Sequence, residues 1–438
     1  MSKRVLVLAY YFPPLGGVGP QRAVKLIKHF PALGYDPIVV TGPEGDAVDF
    51  APSDPVLAAD VAVETRVERI RTLPPSAGIG QRRTRRLLGR WSALEAWWLR
   101  EATAVARSLV GEFDLVHAVM TPFSSSVVAA EVAGEAGVPW VADLGDPWAL
   151  DDWQIYPTAL HRRLEQRRMR RALRSAAAIV MNTKEAAHAL TDRFPELAST
   201  RIASITWGWD RDDFEGTPKP RLDKRFRIVY AGYSHVRRGL EHRQRRRIRE
   251  VLGGAVRGLD ILPRSHFFLA QAVGRLAQED GRMARRLELH VAGPAPMDTR
   301  DGSDDLSIVH HGYLPHDQAV ALVRSADLLF LAMHDLPSGL RTTTTPGKTF
   351  EYLASGRPIL AALPDGDARD LLLALPNVWL CRPADVDCMA AALREAMAAT
   401  PGSTDRLVDV LERFEWGNLA RHLVALFDDA VSEVSEGG

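Results

Sequence analysis

Short apolar runs alternate with longer amphipathic stretches along the 438-residue chain. Each run is followed by a stretch with helical periodicity, a pattern typical of parallel strands that are buried on both faces. The runs form two series, and each series predicts a doubly wound sheet with helices on both sides. The first series is Val5–Ala9, Ile38–Thr41, Leu115–Val119, Trp140–Leu144 and Ala178–Asn182, and the second is Arg227–Ala231, Leu287–Ala292, Leu328–Ala332, Pro358–Ala362 and Val378–Cys381.

The chain is too long for one hydrophobic core, since cores stop growing at roughly 250–300 residues. A polar stretch between Asp210 and Arg225 contains two prolines, lacks periodicity and is typical of a linker. We therefore predict an α/β protein with two Rossmann-like, doubly wound domains, residues 1–215 and 222–415, that face each other across a cleft. Ligands of such sheets bind beyond the carboxyl ends of the strands, so the loops at those ends form the candidate site.

Charge is balanced overall, with 55 Lys and Arg against 55 Asp and Glu, yet the arginines are clustered. Such clusters attract phosphate groups on nucleic acid, lipid or a small ligand, or else they form a solvated helix face. The zero net charge and the lack of a recognised module disfavour nucleic-acid binding. The clusters lie at Arg82–Arg90, Arg162–Arg174 and Arg237–Arg249.

The cellular location is predicted from the cysteines and from the apolar runs. Cys381 and Cys388 are the only two cysteines, which excludes a disulfide framework and a cysteine-built zinc site. No apolar run approaches the roughly 18–20 residues that span a bilayer. Met-Ser-Lys-Arg runs straight into the apolar strand Val5–Ala9, which is too short for the core of a signal peptide. We expect a soluble, cytoplasmic protein.

A glycine-rich turn containing Gly16 and Gly17 follows the first strand and precedes the first predicted helix. Glycines at this place let backbone N–H groups approach a phosphate at the positive end of the helix, or they simply form a tight turn. Their spacing is not that of a dinucleotide-binding fingerprint, and no P-loop lysine follows. A nicotinamide-dependent oxidoreductase, which would share the fold class, is therefore disfavoured.

Lys348 and Glu351 lie three residues apart, and hence on one face, of a helix predicted within residues 346–360. Such a lysine can neutralise a diphosphate and such a glutamate can accept hydrogen bonds from a ribose diol, whereas the alternative is an ordinary surface ion pair. This segment resembles the nucleotide-binding helix and strand of the retaining family 4 glycosyltransferases, which have the GT-B fold. Weaker resemblances follow in order at Phe12–Gly17, Asp114–His117, Ala231–Gly232, Leu289–Gly293, His311–Leu314 and Ala326–Leu328.

The resemblance implies an acceptor-binding domain in residues 1–215, a nucleotide-sugar-binding domain in residues 222–415 and a helix in 416–438 that crosses back to the first domain. It also implies transfer of a sugar, with UDP-sugars favoured, to a hydroxyl acceptor with retention of configuration. Synthesis of cell-surface polysaccharide, glycolipid or natural-product glycosides would be the setting. The alternative is a catalytically inactive nucleotide-sugar-binding or scaffold protein of the same fold.

The resemblance also implies roles for individual residues. Glu351 would hold the ribose, while Lys348 and Arg238 would face the leaving diphosphate. Three positions depart from the family pattern. Tyr233 replaces an arginine of the phosphate-binding loop, Thr343 replaces the first glutamate of a spaced pair, and Val119 stands where many members have a second histidine after His117. The candidate nucleotide-sugar-binding residues are Gly16, Gly17, Gly232, Arg237, Arg238, Lys348 and Glu351.

Three residues at the carboxyl ends of two further strands complete the candidate site. His117 would reach the cleft or be a satisfied core histidine. Asp146 would orient an acceptor hydroxyl and Trp148 would stack on a sugar, or Asp146 would cap a helix that begins at Pro147. The candidate catalytic residues are therefore Arg238, Lys348, Asp146 and His117.

No metal or other cofactor is expected. Two Asp-x-Asp triplets, at 365–367 and 385–387, are interpreted as helix caps and solvated loops rather than as metal ligands. Proteins with the GT-B fold generally use helix dipoles and cations to stabilise the diphosphate. No carboxylate stands out as a covalent nucleophile.

The basic stretch 82–99 contains Trp91, Trp97 and Trp98. Arginines interleaved with large apolar residues suit an anionic membrane surface, which would place the protein peripherally on the inner face of the cell membrane with a lipid-linked acceptor. A core-facing amphipathic helix, whose tryptophans pack on the first sheet, is the equal alternative.

Overall fold

The computed structural model describes residues 2–44, 52–75, 88–217, 221, 223–293, 306–399 and 408–437. Contacts divide the chain into two compact units, Met1–Trp207 with Trp416–Gly438, and Gly208–Glu415. We call them unit 1 and unit 2. The division falls ahead of the predicted boundary at 215, because Trp209 donates a hydrogen bond of 2.7 Å to the carbonyl of Leu411. Asp213 likewise lies 2.8 Å from His316, another residue of unit 2.

The described part of unit 1 contains one sheet of seven strands, all parallel, in the order β3-β2-β1-β4-β5-β6-β7. The strands are β1 (Lys3–Ala9), β2 (Tyr35–Thr41), β3 (Arg66–Arg69), β4 (Leu115–Met120), β5 (Trp140–Leu144), β6 (Ala178–Met181) and β7 (Arg201–Ser204). The helices are α1 (Val18–Ile27), α2 (Ala93–Ser108), α3 (Ser125–Ala136), α4 (Ala159–Leu173) and α5 (Lys184–Arg193). The sequence pattern missed β3 and β7, since these short edge strands are only half-buried and lack an apolar run.

The described part of unit 2 contains six parallel strands in the order β10-β9-β8-β11-β12-β13. The strands are β8 (Phe226–Ala231), β9 (Leu287–Ala292), β10 (Ser307–Gly312), β11 (Leu328–Ala332), β12 (Ile359–Ala362) and β13 (Val378–Cys381). The helices are α6 (Val236–Val251), α7 (Phe267–Glu279), α8 (Gly281–Ala284), α9 (His316–Arg324), α10 (Lys348–Ala354), α11 (Asp367–Leu373), α12 (Val386–Ala398) and α13 (Val408–Arg413). Both sheets therefore confirm the predicted pair of Rossmann-like folds.

The last helix, α14 (Trp416–Gly437), packs on unit 1 although it follows unit 2 in the chain. Phe427 lies with its ring centroid 5.5 Å from that of Phe30 and 5.4 Å from that of Tyr35. Leu423 and Ala420, one and two turns earlier, are fully buried in the same core. The apolar stripe of α14 thus completes one face of the first sheet.

The two cysteines are joined, with 2.16 Å between the sulfurs of Cys381 and Cys388. Two cysteines cannot build a disulfide framework, as the sequence indicated, but they do form this single bond between the end of β13 and the first turn of α12. Among the described helices, none has the length and apolarity needed to cross a bilayer.

Candidate functional site

The loops that follow β8 and β9 meet closely in unit 2. Gly232 has φ 130° and donates its N–H to the carbonyl of Ala292 at 2.7 Å. Gly293 has φ 141°, and a Cβ there would lie 2.3 Å from the carbonyl oxygen of Gly232. Only glycine fits such backbone geometry and such a close approach. The two glycines thus expose backbone at the carboxyl ends of two central strands, where ligands of parallel sheets bind.

Lys348, the first residue of α10, places its ammonium over this glycine backbone. A Cβ on Gly232 would be 3.4 Å from Lys348 Nζ, and Nζ lies 3.8 Å from the centre of the Tyr230 ring. Burial and the nearby charge of Arg264, against an opposing effect of Glu351, together lower the pKa of Lys348 to about 7. The lysine is therefore poised to gain a proton if a negative group binds beside it.

Arg264 is a second cation at this place, and sequence reasoning missed it. Its Nη1 lies 3.4 Å from Nδ1 of the buried His334, which follows β11. The N–H of His235 donates to the carbonyl of Arg264 at 3.3 Å, which ties the arginine to the loop after β8. Burial, together with the charges of Arg264, Arg238 and Lys348, lowers the pKa of His235 to about 2. His235 is thus neutral. The permanent cation Arg264 and the titratable Lys348 lie beside the glycine loop.

Arg237 and Arg238 lie exposed in the first turn of α6. Arg238 is near enough to affect the pKa of His235. The structure thus places Arg264, and not Arg237, beside Lys348. Glu351 lies one turn after Lys348 on α10 and is partly exposed, so the two side chains share a helix face as predicted.

Three hydroxyl groups near these loops are buried and have no hydrogen-bond partner among the described residues. They belong to Ser234, two residues after Gly232, and to Thr345 and Thr349, which flank Lys348. Buried polar groups are nearly always hydrogen-bonded. Three such hydroxyls, in the loop after β8 and around the start of α10, therefore indicate a place for a polar ligand or water. We call Gly232, Arg264, Lys348 and Glu351 the cation cluster.

Unit 1 has a separate cavity of about 140 Å³ at the carboxyl ends of β1, β4 and β5. Asp146, an exposed carboxylate, forms part of its wall. The cavity therefore combines aromatic faces with an anionic group, which suits a hydroxyl-bearing ligand. Its lining includes Tyr10, Tyr11, Arg22, Thr121, Asp146 and Trp207.

A buried ion pair supports the back of this cavity. Arg22 Nε lies 3.0 Å from both carboxylate oxygens of Asp143, and Nη2 lies 2.8 Å from one of them. The guanidinium also donates to the carbonyls of Ile205 and Thr206, at 2.9 Å and 3.0 Å. Burial alone would raise the pKa of the Asp143 carboxyl, but Arg22 and a hydrogen bond from His117 hold it below its usual value. Arg22 is therefore fully occupied within the protein.

His117 is a core residue. It is fully buried, its Nε2 lies 3.3 Å from Asp143, and its ring lies 5.3 Å from that of Phe427. Of the two interpretations offered by the sequence, the structure favours the core histidine. His117 orients Asp143 and does not line the cavity.

Trp148 does not face a ligand, which corrects the prediction that it stacks on a sugar. It is 1% exposed, and its ring is parallel to that of Phe123 at 4.8 Å and stacked against Trp91 at 6.3 Å. The short turn Trp148–Leu150 has no side-chain cap, so Asp146 is not a helix cap either. The cavity instead takes its indole from Trp207, which no sequence signal identified because it follows the unrecognised strand β7.

The glycine-rich turn after β1 is a wall of the cavity. The N–H of Gly16 donates to the carbonyl of Pro52 at 2.7 Å, and Gly17 has φ 71° at the start of α1. Val18 and Gly19, the next residues, line the cavity. The turn is therefore a tight structural turn whose far side reaches the candidate site.

The acidic triplets have structural roles. Asp385 accepts a hydrogen bond of 2.9 Å from the N–H of Cys388 and caps α12. Asp365 pairs with Arg382 at 3.1 Å. Within the part of the chain that the structure describes, no group of three or more His, Cys, Asp and Glu side chains has the arrangement of a metal site.

The basic and tryptophan-rich stretch 82–99 falls partly outside the described residues, which resume at Leu88. Trp97 and Trp98 are 4% and 0% exposed, and Trp98 donates to Ser125 at 2.9 Å. These two tryptophans belong to the core, so the structure favours the core-facing helix and corrects their assignment to a membrane surface.

Comparison with solved structures defines the class of the protein. The structure of Anabaena HepE in complex with UDP and glucose is similar, with a TM-score of 0.60, 15% identity and coverage of 98% of this chain and 100% of that chain. Sucrose-phosphate synthase from Thermosynechococcus elongatus has a TM-score of 0.64, 15% identity and coverage of 98% and 100%. An α,α-trehalose 6-phosphate synthase from Burkholderia multivorans has a TM-score of 0.61, 14% identity and coverage of 100% and 99%. At such low identity these likenesses show the fold, which is GT-B.

Family models define the class further. Residues 16–213 match the model of Glycosyltransferase Family 4, and residues 258–399 match the model of Glycosyl transferases group 1. No curated protein matches the sequence. The two matches and the fold together identify a GT-B glycosyltransferase, with a family 4 domain in residues 16–213 and a group 1 domain in residues 258–399.

Proposed function

We propose that the protein transfers a sugar from a UDP-sugar to a hydroxyl acceptor and retains the anomeric configuration. The observation that carries the proposal is the cation cluster, where Lys348 and Arg264 lie around the exposed backbone of Gly232. Two cations beside a glycine backbone that a ligand can approach closely suit the two phosphates of a diphosphate. Similar structures support the choice of nucleotide, since HepE forms complexes with UDP and with UDP-glucose and the trehalose-phosphate synthase from Burkholderia vietnamiensis is UDP-forming.

Unit 2 would hold the donor. Lys348 and Arg264 would bind the two phosphates, and the Glu351 carboxylate, one helical turn away, would accept hydrogen bonds from the ribose hydroxyls. The unpartnered hydroxyls of Ser234 and Thr349 would donate to phosphate oxygens. These groups come from the loop after β8, from the segment between α6 and α7, and from the first turn of α10.

Unit 1 would bind the acceptor in its cavity. The Asp146 carboxylate would accept a hydrogen bond from an acceptor hydroxyl, and Trp207 would offer an apolar face to a sugar ring. Arg22 and Asp143 neutralise each other, so Asp146 is the anionic group that the cavity presents to a ligand among its described lining residues.

The proposed chemistry breaks the bond between C1 of the sugar and the diphosphate oxygen, and it forms a bond between C1 and the acceptor oxygen. The acceptor proton passes to an oxygen of the leaving diphosphate. Negative charge builds up on that diphosphate in an oxocarbenium-like transition state. Lys348 and Arg264 would stabilise this charge, so we expect transfer to continue in the presence of a metal chelator.

Thermal unfolding with UDP, GDP, ADP and dTDP tests the donor site. A nucleotide at 100 times its dissociation constant should stabilise the protein by about 2.7 kcal/mol. We expect UDP to raise the melting temperature of the wild type and of the control Glu241→Ala, an exposed glutamate of the same unit, but not of Glu351→Ala. Lack of any shift across the panel would contradict the donor site.

Product formation separates an enzyme from an inactive binder. Incubation with UDP-sugars and simple glycoside acceptors should release UDP, and NMR of the product should show the anomeric configuration of the donor. Arg264→Gln should bind UDP more weakly and lose turnover. UDP binding without release of UDP from any donor would favour the inactive nucleotide-sugar-binding protein.

A further inference from the structure

Helix α6 carries an arginine-rich face whose partner the glycosyltransferase reaction does not explain. The helix spans Val236–Val251 and lies outside both family models, since one match ends at 213 and the other begins at 258. The proposal below therefore concerns a helix that neither family model covers.

The inner face of α6 is firmly attached to unit 2. A Cβ on Gly239 would lie 2.4 Å from Cα of Leu262, so the helix backbone is in direct contact with the returning segment. His242 Nε2 lies 3.0 Å from the carbonyl of Leu259, and Glu250 accepts from the N–H of Gly258 at 2.9 Å. These contacts determine which side of the helix faces outward.

The outer face combines exposed apolar side chains with arginines. Ile248 and Val251 are 66% and 87% exposed, and Leu240 and Leu252 are 40% and 46% exposed. At 3.6 residues per turn, positions 240, 248, 251 and 252 fall on one side of the helix. Large apolar residues grouped on a helix surface are unusual in a protein that has no partner there.

The arginines of this face are available to a partner. Arg237, Arg245 and Arg247 are exposed, and none of them makes an ion pair or hydrogen bond with any residue that the structure describes. By contrast, Arg243 and Arg246, which point towards unit 2, pair with Asp260 and Glu250 at 2.5 Å and 3.0 Å. The helix thus neutralises its inner arginines and leaves its outer ones unpaired.

We propose that the outer face of α6 docks on a bilayer that is rich in anionic phospholipid. The arginines would contact lipid phosphates, while Leu240, Ile248 and Val251 would insert between the head groups, as in interfacial amphipathic helices. A second copy of the chain fits poorly, because a two-fold interface would bring the arginines against one another. Single-stranded nucleic acid also fits poorly, because this face offers no aromatic side chain on which bases could stack.

Vesicle flotation of the full-length chain tests the proposal. The wild type should float with vesicles of phosphatidylcholine containing phosphatidylglycerol and should stay unbound with phosphatidylcholine alone. Each arginine near an anionic surface contributes about fivefold in partitioning, so Arg245→Gln with Arg247→Gln should weaken binding by roughly 25-fold. Ile248→Asp with Val251→Asp should abolish binding.

Leu373→Asp serves as the matched control, since this side chain is 71% exposed on another helix of the same unit and should leave flotation unchanged. Near-wild-type melting temperatures would confirm that the variants fold. The proposal would be overturned if the wild type bound both vesicle types equally or bound neither. It would also be overturned if Ile248→Asp with Val251→Asp bound anionic vesicles as well as the wild type does. Binding to a short RNA, together with no binding to anionic vesicles, would assign the face to nucleic acid instead.

Discussion

The pKa of Lys348 predicts that nucleotide binding takes up a proton. The pKa is about 7 in the ligand-free protein, because burial and the neighbouring Arg264 disfavour the ammonium form. A diphosphate placed beside Lys348 would favour that form and raise the pKa. UDP binding above neutral pH is therefore coupled to protonation of Lys348. The affinity for UDP depends on the fraction of the free protein in which Lys348 is already charged.

The size of the pH effect on UDP affinity follows from the pKa of Lys348. About half of the free molecules carry the charge at pH 7 and about one in ten at pH 8. If the complex holds Lys348 charged, the affinity for UDP falls about fivefold between pH 7 and 8 and about tenfold per unit above that. Between about 7 and the ordinary 10.5, the unfolded chain binds the extra proton, so the contribution of Lys348 to the stability of the ligand-free protein rises with pH.

Calorimetric titration of UDP in two buffers of different ionisation enthalpy measures the protons taken up. We expect about 0.5 proton per UDP at pH 7 and about 0.9 at pH 8. Lys348→Met, which is neutral at every pH, should bind more weakly and without this uptake. The same pH slope in the wild type and in Lys348→Met would refute the reasoning, because the protons would then come from another group.

Two further predictions concern stability. Arg22→Ala leaves the buried Asp143 without its cation and should cost about 3–5 kcal/mol in urea unfolding. Arg66→Ala, which breaks ion pairs between exposed side chains, should cost much less, and equal costs would contradict the role of burial. Gly239→Ala should destabilise unit 2, because the added Cβ would collide with Leu262. The control Gly134→Ala on α3, with nothing within 4 Å of the added Cβ, should stabilise the protein by up to about 1 kcal/mol. A gain in stability in both variants would show that α6 can move away from the segment around Leu262.

Much of the fold could be predicted from the sequence because its central strands are continuous apolar runs. Strands such as β1 and β4 are buried on both faces, so their residues carry a strong signal. The edge strands β3 and β7 are half-exposed and have ordinary composition, which makes them look like loops. The α10 segment was recognisable because Lys348 and Glu351 depend only on local helical spacing.

Residues whose role depends on tertiary packing could not be assigned in this way. Trp148 follows a strand end, just as a ligand-stacking indole would, but it is buried and the rings of Phe123 and Trp91 stack against it. Neither partner is near it in sequence, so the enclosure is invisible until the chain is folded. His117 is similar, since its contact with Phe427 joins residues that lie far apart in the chain.

The placement of Arg264 shows how the chain returns to the cation cluster after helix α6. Residues 236–262 separate the loop after β8 from Arg264, yet the N–H of His235 still donates to the carbonyl of Arg264 at 3.3 Å. The return of the chain is held by Asp260, whose N–H and carbonyl each bond to the backbone of Asp335, at 2.9 Å and 2.8 Å. Because backbone hydrogen bonds hold both ends of the segment 236–262, Arg264 keeps its position near Lys348 while the outer face of α6 remains exposed. The family resemblance points to Arg238, whereas the closed loop brings Arg264 near enough to affect the pKa of Lys348.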